Sequence, residues 1–123
     1  MDINKIAFGK TDWTATGTAT AATVTTTKTG IAVLSPKPAQ RHILVAFSLS
    51  VDRITTTAGL LTIKDGSTAK YTFWIPVGFY GPLYVELNRP YACAQGADAV
   101  GTVTTLGTGV VCVVELYGQT VSD

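Results

Sequence analysis

The sequence predicts an all-β, single-domain fold, a sandwich or barrel of antiparallel strands, and three observations lead there. Threonine and valine crowd the extended runs, and their branched Cβ atoms resist helix and suit a pleated surface. Apolar residues alternate with a period of two in most of those runs. Glycine and proline punctuate the chain at short intervals, a spacing that suits many short strands. At least seven extended segments can be assigned, the expected number is eight, and no helix is expected.

The first expected strand is TATAATVTTT at 18–27, and GIAVL at 30–34 forms the second. The break SPKPAQ leads into RHILVAFSLSV at 41–51, the strongest strand of the chain. Its alternation points Ile43, Val45, Phe47, Leu49 and Val51 inward, and His42, Leu44, Ala46, Ser48 and Ser50 outward. Strands follow at 59–64 and 68–76, then at 83–87 with Leu83, Val85 and Leu87 inward. NRPYACAQGA reads as a long loop before the strand at 98–105. The turn LGTG then opens the last strand, 109–117, in which Cys112 alternates with Val110, Val114 and Leu116.

The segment TIKDGSTAKYTFWI, 62–75, specifies a hairpin in more detail. Leu61 and Ile63 share a face with Tyr71, Phe73 and Ile75 only if paired residue numbers add to an even value, and a simple two-residue loop at Asp65-Gly66 would give an odd one. A turn over Lys64-Asp65 with Gly66 as a left-handed bulge satisfies the condition, pairing Ile63 with Ser67 and Leu61 with Ala69. Asp65 and Gly66 are thus expected to be structural turn residues, with Gly66 at positive φ because glycine alone takes that dihedral at little cost.

At 123 residues the chain is long enough for one domain that buries about two thirds of its unfolded surface. The expected organisation is an N-terminal arm or irregular segment at 1–17, the β domain at 18–119 and a short tail at 120–123. The arm carries Ile3, Ile6 and Phe8, apolar side chains expected to pack against another surface.

Charged residues are only 14% of the chain and the formal net charge is +1. Lys and Arg are scattered singly, so neither nucleic acid nor an acidic membrane is an expected partner. The N-terminus MDINKIAFGKTDW has no apolar core of a signal peptide, and no run approaches a membrane span. Synthesis in a cytoplasm is expected, yet the Thr- and Gly-rich composition suits life outside cells. A virion protein, released by lysis, reconciles the two.

Catalytic chemistry finds little to work with. The carboxylates are Asp2, Asp12, Asp52, Asp65, Glu86, Asp98, Glu115 and Asp123, and no spacing among them marks an acid and base pair. His42 is the single imidazole, expected on the outer face of its strand with no nucleophile motif beside it. Cys93 and Cys112 lack C-x-x-C spacing, so no zinc site is expected, whereas a disulfide between them stays open. The chain is read as a non-enzyme without cofactor or metal.

The aromatics carry more. Trp74 faces away from Phe73 and Ile75, and VGFYGPLY at 77–84 adds Phe79, Tyr80 and Tyr84 nearby in sequence. Such rings serve either as anchors at a protein interface or as a stacking platform for sugars. Leu44 and Ala46 on one strand, with Val111 and Val113 on another, are expected on non-core faces, which favours cover by a partner.

The run AGLLTIKDGSTAKYTFWIPVG, the Thr-rich first strand, RHILVAFSLSV and the closing GVVCVVELYGQT resemble small virion proteins of tailed bacteriophages, of the decoration or cement type. The resemblance covers most of 18–119. It implies an eight-stranded jelly roll that trimerises and sits on the outer capsid surface, with itself and the major capsid protein as partners. From the apolar faces, the rings and the N-terminal segment, Leu44, Trp74, Phe79, Tyr80, Tyr84, Ile3, Ile6 and Phe8 are the expected interface residues. The competing expectation is a carbohydrate-binding or host-adhesion module displayed on the particle, with a glycan as ligand.

Overall fold

The structure is a computed structural model, and it describes residues 13–20, 27–32, 36 and 39–122, with Thr20 and 27–32 described through their backbone. The described elements are all strands: β1 (Trp13–Thr20), β2 (Thr27–Ala32), β3 (Gln40–Val51), β4 (Gly59–Asp65), β5 (Thr68–Ile75), β6 (Pro82–Ala92), β7 (Ala99–Thr104) and β8 (Val111–Ser122). They form two antiparallel sheets, ordered β1-β8-β3-β6 and β2-β7-β4-β5.

One hydrophobic core joins the sheets. Phe47 and Leu49 of β3 and Val114 and Leu116 of β8 come from one side, and Leu61, Ile63, Ile75 and Val103 from the other. The Phe47 ring lies 5.9 Å from that of Tyr71 and 5.6 Å from that of Phe73, across the gap between sheets. The all-β fold and its sandwich character therefore follow the sequence, and the alternation that was expected in β4 and β8 appears as alternating burial.

In β3 the alternation breaks. Phe47, Leu49 and Val51 point inward as expected, but the pairing of β3 with both neighbours shifts between Leu44 and Ala46. The bulge at Val45 inserts one residue and flips the parity of everything before it. Leu44 consequently enters the inter-sheet core at 2% exposure, which corrects its expected place at an interface. Ile43 instead joins a small cluster with Val121 and Ala92. His42 is corrected in the same way: it is buried, with Nδ1 2.8 Å from Thr120 Oγ1 and the indole of Trp13 edge-on at 5.2 Å.

The hairpin keeps the even parity and changes the register. Ile63 pairs with Tyr71 and Leu61 with Phe73, four residues from the expected partners. Asp65 pairs with Thr68, so the loop itself is Gly66-Ser67, and the bulge that restores parity falls at Lys70. Gly66 has φ 61°, as anticipated, and stands first in the loop as a type II′ turn requires.

Pairing begins at Trp13, inside the stretch expected as an arm, and β8 runs on to Ser122. β8 lies between β1 and β3; pairing with both at Gly118, and with β3 from Gln119 to Ser122, holds the chain in a strand that local propensity would end. β6 continues through Pro90, where a loop was expected, because β6 is the last strand of its sheet and an edge tolerates a missing N–H. Residues 87–90 stand opposite Val45 alone. Cys93 and Cys112 are both buried, and no disulfide joins them. Ile3, Ile6 and Phe8 lie outside the described residues.

Candidate interaction surface

Thr55 assembles one end of the sandwich. Its buried hydroxyl donates to the Pro76 carbonyl at 2.7 Å and accepts from the Phe79 amide at 3.0 Å. Its own amide donates to Phe79 O, and its carbonyl accepts from Gly78. The 52–58 connection is thereby fastened to the 76–81 connection, while Thr56 and Thr57 amides donate to Leu106 O in the 105–110 connection. Nothing in the run TTT distinguishes Thr55 from its neighbours, so this anchor was not legible in the sequence.

Three large apolar side chains stand exposed on these fastened loops: Ile54, Val77 and Tyr80. Trp74 adds to them from the end of β5, where it is 74% exposed on the outer face opposite Leu60. Four exposed apolar groups on adjoining segments make this end of the sandwich the candidate interaction surface. Beside Ile54, Asp52 accepts from Arg53 at 3.0 Å and from the Val111 amide at 2.9 Å, and these bonds hold its carboxyl below the usual range.

The expected ring cluster is therefore divided by the fold. Trp74 and Tyr80 belong to the apolar corner, and Phe79 turns inward to pack on the core. Tyr84, 57% exposed, points from the outer face of the other sheet, where its ring meets Tyr117 at 5.9 Å. Parity places Trp74 and Tyr84 on the outer faces of their strands, but only the sheet order shows that the two look in opposite directions.

At the other end, Asp65 has more than a turn to hold. Its carboxylate accepts from the Tyr91 hydroxyl at 2.9 Å and from the Ala94 amide at 3.1 Å, while the Gly66 amide donates to Asp98 O at 2.7 Å. The hairpin is thus tied to the 93–98 connection. Burial, and then the bond to Asp65, pushes Tyr91 up to about 12; burial, and then the Asp65 charge, pushes the Cys93 thiol up to about 12.

Two consequences can be measured. The protonated forms of Tyr91 and Cys93 are favoured by folding, so their contribution is complete below their ordinary values of 10.0 and 9.0 and is lost as pH rises toward about 12. The urea midpoint should accordingly fall through that window. Asp65→Asn, harmless to the turn, should remove the charged acceptor and cost about 1 kcal/mol. In an absorbance titration its Tyr91 should ionise at lower pH than in the parent protein, and an unchanged titration would deny the bond its role.

Among the described residues no group of three or more His, Cys, Asp or Glu side chains could hold a metal ion. No protein-family model, curated protein or solved structure matches the chain.

Proposed function

We propose that the chain is a structural virion protein, a decoration or cement protein that bridges neighbouring capsid subunits on the outer surface of a phage head as a homotrimer. The observation that carries this reading is the apolar corner of Ile54, Val77 and Tyr80, on connections that Thr55 holds in place, with Trp74 at the adjoining end of β5. A preformed, exposed apolar surface on a rigid sandwich favours an assembly protein, since little ordering entropy remains to be lost on binding. The strand order β1-β8-β3-β6 against β2-β7-β4-β5 supports the eight-stranded jelly-roll reading, an architecture common in viral capsid proteins and in lectins. The lectin side of that comparison keeps a host-adhesion module as the second reading, favoured by the exposure of Trp74.

The test is a light-scattering mass at micromolar concentration, followed by co-sedimentation with phage heads stripped of their decoration. A homotrimer that saturates the heads is the expected result. A single-chain mass with no head binding would overturn it, and glycan-array binding by that monomer would establish the adhesion module. Trp74→Ala should leave folding within about 0.5 kcal/mol, because the side chain is exposed. Head binding should weaken by about 2 kcal/mol, or roughly thirtyfold.

A further inference from the structure

We propose that the outer face of the β1-β8-β3-β6 sheet carries a recognition site for an arginine side chain of a partner protein, formed by Tyr84, Glu86, Glu115 and Tyr117. The site follows from register. Ser48 of β3 is flanked by Tyr84 of β6 and Glu115 of β8, and Ala46 by Glu86 and Tyr117. Each ring therefore sits diagonally across from the other ring, and each carboxylate from the other carboxylate. Ala46 and Ser48 are the floor, small and almost wholly covered at 1% and 8% exposure. Because β6 and β8 are the two neighbours of β3, the block is about 10 Å wide, within reach of one guanidinium and the stem that carries it.

Part of the site is held in position without a ligand. The Tyr117 hydroxyl donates to Glu115 Oε2 at 3.0 Å and lies 3.5 Å from Ser48 Oγ. That bond leaves Glu115 Oε1 for an incoming donor. The next strand out continues the two rows with Thr14 and Thr16, which add no charge.

Charge and ring geometry together select the ligand. Two tyrosines inclined at 64° offer no common plane on which a sugar ring could stack. Two carboxylates beside two ring faces suit a cation, which is attracted by the ring quadrupole and by the carboxylates at once. A guanidinium uses both, being permanently charged, planar, able to stack on tyrosine and able to donate in pairs to a carboxylate. The face is distinct from the apolar corner, since Trp74 looks out from the opposite sheet, and the proposal does not depend on the virion reading.

The experiment titrates an acetylated glycine–arginine–glycine peptide amide into isotope-labelled protein and follows the backbone and tyrosine resonances by NMR. Its citrulline counterpart, which has the shape without the charge, and maltohexaose are titrated in parallel. Salt-sensitive shifts centred on Tyr84, Glu86, Glu115 and Tyr117 are expected with the arginine peptide alone. Glu86→Gln with Glu115→Gln should weaken that binding by about tenfold or more, the loss of one charged contact or its equivalent. Tyr84→Leu should weaken it without altering the rest of the spectrum. The proposal is overturned if citrulline binds as well, if maltohexaose shifts these residues more strongly, or if the arginine peptide shifts none of them.

Discussion

Leu44→Glu is expected to leave the chain unfolded at room temperature, and loss of assembly should be only a by-product. Leu44 lies at 2% exposure in the core that joins the sheets, so the substitution removes a buried aliphatic group and puts an unpaired carboxylate in its place. Truncating such a leucine costs about 2 to 5 kcal/mol, and burying the charge or protonating it adds several more. A domain of this size has about 5 to 15 kcal/mol to lose. The check is amide dispersion by NMR with a urea midpoint, set against Ser50→Glu. Ser50 lies beyond the bulge, half-buried and opposite Val113 and Pro82 on the outer face. A glutamate there should cost less than about 1 kcal/mol. A folded, merely dissociated Leu44→Glu protein would put Leu44 back on the outer face and remove the bulge at Val45.

That contrast also shows where the sequence is informative. Alternation identifies a face only where the other face is polar. From Phe47 to Val51 the intervening Ser48 and Ser50 mark the outside, and the inward residues follow correctly. In Ile43-Leu44-Val45-Ala46 every residue is apolar, so a one-residue slip changes nothing in the pattern while moving Leu44 between core and surface. The hairpin behaves similarly. Its parity was fixed by Ile63, Tyr71 and Phe73, whereas the position of the compensating bulge at Lys70 depends on backbone pairing that no side chain announces. For the candidate surface, Trp74, Tyr80 and Tyr84 were visible as residue types, and their separation onto different faces required the order of strands in space. Asp65 was visible as a turn residue, but its donors Tyr91 and Ala94 come from a strand and connection remote in sequence.

Gly118→Val should be nearly as damaging as a charge in the core, by a different route. Gly118 lies in β8 between Trp13 of β1 and Leu44 of β3, where the β1 ladder begins and next to the bulge at Val45. A Cβ at this position would run into the Ile43 carbonyl oxygen and the six-membered ring of the Trp13 indole, so the obstacle on one side is backbone and cannot turn away. The space has a use. With no side chain beneath it, the indole crosses β8, donates from Nε1 to Thr120 Oγ1 at 3.0 Å and meets the His42 ring edge-on. Thr120 Oγ1 also bonds His42 Nδ1, so one hydroxyl joins the opening of β1 to β3 through β8. Valine would expel the indole, break both contacts and overpack the sheet, for a combined loss of about 3 kcal/mol or more. Because Trp74 is largely exposed, a Trp74→Phe background isolates the emission of Trp13. In that background Gly118→Val should shift the emission to the red and lower the urea midpoint together, with Gly118→Ala between the two. An unshifted Trp13 spectrum with stability held within about 0.5 kcal/mol would mean that the indole does not rest on Gly118, and the start of β1 would have to be secured by other contacts.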